Sequence, residues 1–253
     1  MEYSEIPTSK ISGSGRLTVP GYGMFKISGS GRISPELIKT SGSSKIPGGL
    51  KVGEVKVSGS STIEGDIETE FMKVSGSSHI EGDLTCEDLE KSGSIRIDGN
   101  LKCRMAQMSG STKIGGRTSV EKELRNSGSV KFGDDVESEG HIRLSGGFEV
   151  QGKLTAKSFE ARIGRRESFI HSGIEADYIE VREHRENWRG EGVLITTDIV
   201  GDEVILENVE CDNVTGNKIS ILPGCRIKGK IQYRESVKVD PKTRMDSEPE
   251  KIE

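Results

Sequence analysis

The stretch VSGSSTIEGDIETE occupies residues 57–70, VSGSSHIEGDLTCE follows at 74–87, and KSGSIRIDGNLKCR at 91–104. A disordered tract, a phosphate-binding glycine loop and a structural repeat all use such residues, and the spacing separates them. Taking the Gly of each Ser-Gly as a mark gives Gly13, Gly29, Gly42, Gly59, Gly76, Gly93, Gly110, Gly128 and Gly146, with steps of 16, 13, 17, 17, 17, 17, 18 and 18. A disordered linker keeps no such count, and a phosphate loop is needed once rather than nine times. The spacing therefore reads as the length of one structural unit.

Within the unit that begins at Val57, every second residue gives Val57, Gly59, Ser61, Ile63, Gly65, Ile67 and Thr69, and the alternate set is wholly polar. Period two is extended chain with one face buried. The apolar columns persist along the chain. Four residues after the mark stand Leu17, Ile33, Ile46, Ile63, Ile80, Ile97, Ile114, Phe132 and Val150, and eight after it Ile67, Leu84, Leu101, Val136 and Leu154. A second glycine six residues after the mark pairs Gly59 with Gly65, Gly76 with Gly82, Gly93 with Gly99 and Gly110 with Gly116. Glycine tolerates positive φ and has no Cβ, so it suits a tight corner whose side chain would point inward, and serine beside it can hydrogen-bond the bent backbone. A third, less regular side carries Phe71, Met72, Leu89 and Met105.

Strand, corner, strand, corner, strand and return describe one coil of an all-β, single-stranded parallel β-helix, three-sided with about 17 residues per coil. One coil buries about three large aliphatic side chains at roughly 1.5–3 kcal/mol each. Ordering each of its residues costs about 1–2 kcal/mol. Coils therefore hold only when stacked, hydrogen-bonded to one another at about 4.8 Å. The domain reading is an extension over 1–10, regular coils over 11–160, and less regular coils over 161–239 with a charged loop at 182–192. A polar tail over 240–253 is expected to be disordered. From Ile199 the apolar residues fall five apart, through Val204, Val209 and Val214 to Ile219, which predicts coils of about fifteen residues.

Aromatic residues make up 4% of the chain and glycine supplies 33 positions, which suits a narrow interior. A net charge of −5 makes nucleic acid an unlikely partner. The start carries no apolar leader, and no stretch is apolar enough to span a bilayer, so a cytoplasmic location is expected, with membrane association left open. Cys86 and Cys103 share a column and read as buried small side chains rather than a disulfide or metal pair, while Cys211 and Cys225 lack zinc-knuckle spacing. Glu64, Glu81 and Asp98 in one outward column, and Asp66 and Asp83 in another, could hold a cation but read more simply as a solvated face. No two of His79, His141, His171 and His184 share a column in neighbouring coils, and no Gly-x-Ser-x-Gly occurs. No catalytic, cofactor-binding or metal-ligating set is therefore expected, and the chain reads as a non-enzyme without cofactors. The best place for a partner is the irregular stretch with Arg162, Arg165, Arg166, Arg182, Arg185, Trp188 and Arg189, although six acids share it.

The recurrent V-S-G-S-x-x-I-E-G-D-I-x-x-E, clearest over 57–104 and looser over 11–160, resembles the bactofilins, the polymer-forming cytoskeletal proteins of bacteria, and their archaeal relatives. The ending from Gly201 to Pro241 looks like the tail of their longer, Ser-Gly-Ser-rich members. The resemblance implies a right-handed β-helix that assembles end to end into filaments without nucleotide. It also implies scaffolding roles in cell shape, envelope growth, motility and the positioning of other proteins, including scaffold or envelope partners. The chain departs from the shorter members in showing no amphipathic N-terminal arm. On this reading the polymer ends are Leu17 and Val19 at one side and Ile227 and Ile231 at the other. The alternative is a non-polymerising solenoid that binds a protein or other partner through its side face or the 162–192 region. A hexapeptide-repeat acyltransferase would repeat an aliphatic residue every six, and a secreted adhesin would need a leader.

Overall fold

The computed structural model describes residues 2–184 and 192–253. All of its regular structure is β, in a parallel β-solenoid with about 17 residues per coil. The chain divides into two compact units, Met1–Val120 and Glu121–Glu253.

Unit 1 contains β1 (Ser9–Val19), β2 (Gly23–Ile33), β3 (Leu37–Pro47), β4 (Leu50–Val57), β5 (Ser60–Glu64), β6 (Ile67–Val74), β7 (Ser77–Ile80), β8 (Leu84–Lys91), β9 (Ser94–Ile97) and β10 (Leu101–Ile114). From β3 onward every ladder within the unit is parallel. Ile46 pairs with Ile63, Ile63 with Ile80, Ile80 with Ile97 and Ile97 with Ile114. In the coil 60–74 the inward residues are Ser61, Ile63, Ile67, Thr69, Met72 and Val74, all buried. The odd-numbered set faces inward up to Thr69 and the even-numbered set after Glu70, because Glu70 sits at the corner where the register skips one residue. The third side is thus as regular as the others. Met72 and Leu89 point inward, whereas Phe71 and Met105 are half-exposed and outward.

The corner glycines answer a constraint that stacking sets, and of the two properties expected to suit them, the missing Cβ matters at more corners than positive φ. Gly65 and Gly110 do have positive φ, but Gly59, Gly76, Gly82, Gly93, Gly99 and Gly116 do not. What these six lack is room for a side chain. A Cβ on Gly59 would overlap the carbonyl oxygen of Gly42, one on Gly76 that of Gly59, and one on Gly93 that of Gly76. At the second corner the obstacle is a side chain. Asp66 occupies the space beside Gly82, Asp83 the space beside Gly99, and Asn100 the space beside Gly116. Gly116 also donates its N–H to the Gly99 carbonyl one coil below (2.9 Å), as Gly99 does to Gly82 (3.1 Å). The obstructing side chains form a ladder of their own. Asp66 Oδ1 accepts the Asp83 N–H (2.8 Å), Asp83 Oδ1 accepts the Asn100 N–H (2.7 Å), and Asn100 Oδ1 accepts the Arg117 N–H (2.9 Å).

The N-terminal region departs from the expected coils over 11–36. β1 and β2 pair antiparallel with Gly13 opposite Gly29, and β2 and β3 pair antiparallel with Gly29 opposite Gly42. Two chain reversals, at 20–22 and at Ser34–Leu37, replace two coil closures. Pro20-Gly21 and Ser34-Pro35 supply the turn chemistry. The N-terminal segment is also used. The Ser4 N–H donates to the Lys51 carbonyl (2.7 Å), Ser4 Oγ accepts the Lys51 N–H (2.9 Å), and Ile6 is buried. An extended strap therefore covers the edge at Lys51, where no helix is needed.

β11 (Thr118–Phe132) carries the chain past the boundary at Val120. Unit 2 continues with β12 (Val136–Val150), β13 (Leu154–Ile163), β14 (Ser168–Ile170), β15 (Ile174–Glu183), β16 (Leu194–Thr196), β17 (Asp198–Leu206), β18 (Val209–Cys211), β19 (Asn213–Ile221), β20 (Arg226–Ile227), β21 (Ile231–Val239), β22 (Arg244–Met245) and β23 (Glu250–Lys251). Its register partners, Val136 with Leu154, Leu154 with Ile174, Ile199 with Val214 and Val214 with Ile231, show a coil length that varies from place to place. In the coil from Ile199, Leu194–Val209, Ile199–Val214 and Val204–Ile219 are each partners, so each five-residue step is one of three sides. The tail expected to be disordered is a further coil, with Ile227 opposite Met245 and Tyr233 opposite Lys251. Backbone bonds hold it, from Arg244 N–H to Cys225 (3.1 Å) and from Ile252 N–H to Tyr233 (2.8 Å), and these do not require apolar side chains. Among the described residues no helix is long and apolar enough to cross a membrane.

Candidate functional site

Of the residues expected at the polymer ends, Leu17 and Val19 stand on β1, the outer strand of unit 1, whereas Ile227 on β20 and Ile231 on β21 lie one strand inside β22 and β23. Leu17 is half-buried opposite Phe25, Val19 is buried, and Ile227 and Ile231 are fully buried, with Ile227 lying under Met245. The outermost strands of unit 2 are β22 and β23, each paired on one side only, to β20 and β21. Ile252 donates inward, so the Lys251 N–H and carbonyl one residue before it point to the outer edge. In unit 1 the outermost strand is β1, whose described partner is β2.

Two arginines of the arginine-rich stretch are compensated. Arg162 and Arg182 are register partners on β13 and β15, and both bind Glu180, at 3.0 Å and 2.9 Å. These two guanidinium groups hold the half-buried Glu180 carboxyl below its ordinary range against the burial that would raise it. Glu183 and Glu207 line the same shallow depression with His184. Arg165 and Arg166 sit between β13 and β14. Arg185, Trp188 and Arg189 lie outside the described residues.

Four of the five outward acids, all but Glu81, are engaged as well. Glu64 pairs with Lys45 (2.6 Å), and Asp98 accepts from Arg96 (2.6 Å) and His79 (2.8 Å), so both carboxyls are held below their usual range, chiefly by these bonds. Asp66 and Asp83 spend an oxygen on the backbone ladder described above. Among the described residues no group of three or more His, Cys, Asp or Glu could hold a metal ion. His171 stacks on Phe169 with ring centres 5.8 Å apart. Cys86 and Cys103 are register partners and both are buried, unbridged thiols. The bond to Cys103 and burial push the Cys86 thiol well up, and burial raises Cys211 and brings Cys225 to about 11, so these three stay protonated and poorly nucleophilic near neutral pH.

One inward residue escapes the sequence reading. Val57, Val74, Lys91 and Met108 form one column, so Lys91 stands inside the coil, 4% exposed. Its Nζ donates to the Ser111 carbonyl and to Thr112 Oγ1, both at 2.7 Å, and burial pushes its pKa down to about 8. The signal was available: KSGS at 91–94 replaces VSGS at 74–77 in a column otherwise apolar at Val57, Val74 and Met108.

No protein-family model, no curated protein and no solved structure matches this chain.

Proposed function

We propose that the chain is a structural, filament-forming scaffold whose copies join end to end without nucleotide, in the manner of the bactofilins its repeats resemble, and that it has no catalytic role. The observation that carries the reading is the terminal edge of unit 2, where β22 and β23 present hydrogen-bonding backbone to solvent after a regular parallel stack. An unpaired strand edge seeks a partner unless it is covered. β1 is the corresponding outer strand of unit 1, and because it is paired antiparallel, the two edges are chemically unlike. That favours a junction using β22 and β23 on at least one side.

Sedimentation with negative-stain microscopy tests this. Lys251→Pro removes an outward N–H and leaves the inward bond of Ile252 intact, so filaments should shorten or vanish while circular dichroism stays unchanged. A wild-type protein that remains monomeric at high concentration overturns the scaffold reading. The alternative, a binding solenoid that does not polymerise, is favoured by a different surface, on β1 to β3.

A further inference from the structure

On the outward side of β1, β2 and β3 the registers place like charges directly opposite one another. Lys10 faces Arg32, which faces Lys39, and Arg16 faces Lys26, which faces Lys45. Between these two cation rows run two serine rows, Ser12–Ser30–Ser41 and Ser14–Ser28–Ser43. The twelve positions hold six cations, six hydroxyls and no carboxylate. Ser41 is partly covered, and the other eleven are exposed. Residues 7–56 contain eight Lys or Arg against two Glu, in a chain whose net charge is −5. Like charges directly opposite across a sheet are destabilising. Lys45 is compensated by Glu64, while Lys10, Arg16, Lys26, Arg32 and Lys39 make no ion pair among the described residues.

The shape narrows the partner. Ser41-Gly42-Ser43 lies at a coil corner, with Ser43 paired to Ser60, and β1 and β2 follow β3 in register, so the two serine rows run between the two cation rows. On one flank Ser14, Arg16, Lys26, Ser28, Ser43 and Lys45 line a shallow depression. The contour from Lys10 to Arg16 is at most about 20 Å, shortened by the bend, which is comparable with the span across a duplex major groove about 12 Å wide. A single extended polyanion would follow one row and leave the other. The surface offers no aromatic ring to stack an unpaired base and no Asn or Gln to read a base edge. Lys, Arg and Ser are the groups that contact phosphates without reading sequence.

We propose that this two-rowed basic surface docks duplex nucleic acid through its two phosphate backbones, without sequence preference. The overall charge, which argues against such a partner, averages this surface with an acidic remainder.

The test is fluorescence anisotropy of a short labelled mixed-sequence DNA duplex against the full chain across a salt series, with sedimentation of the same samples to keep assembly separate. Binding should weaken with salt, with a log–log slope of roughly −5 for six phosphate contacts. Lys26→Glu with Arg32→Glu should lower affinity at least a hundredfold and flatten the slope by about two. Lys10→Gln with Arg16→Gln on the outer strand should act in the same direction, with circular dichroism confirming the fold. Lys238→Glu with Lys242→Glu, the same charge change placed in unit 2, should leave binding unaltered. Absence of binding at low salt, equal loss in the unit 2 variant, or tighter binding to single strands, anionic vesicles or a sulfated polysaccharide overturns the proposal.

Discussion

Ser-Gly-Ser is used in two ways within unit 1. In β1–β3 it crosses its neighbours antiparallel, with Gly29 between Gly13 and Gly42, and in the coils from β3 onward it stacks parallel, Ser43 on Ser60 and Ser60 on Ser77. Positive φ asks for glycine at Gly13, Gly29 and Gly42, and neighbouring backbone excludes a Cβ at Gly29 and Gly42 as well as at Gly59, Gly76 and Gly93. Gly13 has φ +85° and open space where a Cβ would stand, whereas Gly76 has its Cβ site filled by the carbonyl of the coil beneath. The motif thus specifies a bend with small side chains and does not specify the direction of the neighbouring strand. Chain direction is set by what lies between the bends, either a full lap or a two-turn reversal.

The largest effect that would break this comparison is at the interior of the stacked coils. Ile80→Asp places an unpaired carboxylate between Ile63 and Ile97 and should cost several kcal/mol. Leu17→Asp on half-exposed β1 should cost less than about 1 kcal/mol. Equal melting points for the two would remove the distinction between a closed interior and an open hairpin face. Next come the glycines. Gly76→Ala must push two stacked backbones away from each other and should cost roughly 1–3 kcal/mol, against about 1 kcal/mol for the positive φ at Gly13→Ala. Denaturant midpoints would rank them, and the reverse order would show that corner conformation rather than coil contact demands glycine.

Lys91→Met matches the Met108 above it and should stabilise the fold by roughly 1–3 kcal/mol at neutral pH. The sign with pH follows from a base whose pKa is lower in the folded chain, about 8, than in the unfolded chain, about 10.4. The penalty is full below about pH 8 and fades as pH rises through that window, so wild type should approach the Met variant between pH 8 and 10 in thermal melts. A constant gap across that range would mean the ammonium is already solvated. The smallest effect is Glu81→Lys, one residue from Ile80 and exposed, expected within about 0.5 kcal/mol.

The coils were legible because their period and alternation both report burial, and Ile63, Ile80 and Ile97 occupy one fully buried column. The second-corner glycines at Gly82, Gly99 and Gly116 were legible as positions, while the side chain that excludes a Cβ there belongs to the preceding coil and shows only once the coils are stacked. The antiparallel opening was written in the uneven steps of 16 and 13, but a shared motif at each crossing masked the reversal. The ordered tail was hidden because a terminal coil is held by backbone bonds, so polar composition over 240–253 carries little information about its order. Lys91 and the basic surface were missed for opposite reasons. One is a single charge within a column that otherwise holds Thr40, Val57, Val74 and Met108, and the other vanishes when charge is averaged over the whole chain.

The ladder through Asp66, Asp83 and Asn100 has a consequence for how this chain can change length. Each side chain grips the residue one lap later, so losing a single residue within a coil takes the donor of the rung that spans the loss away from its acceptor. Removing a whole lap does not. Excising residues 77–93 would bring Asn100 to the place of Asp83, where Asp66 already offers the same oxygen. A deletion of that lap should fold, while a deletion of Glu81 alone should not. The molecule is in this sense editable in whole coils, and duplication or loss of one lap at a time is a change of length that its side chains permit.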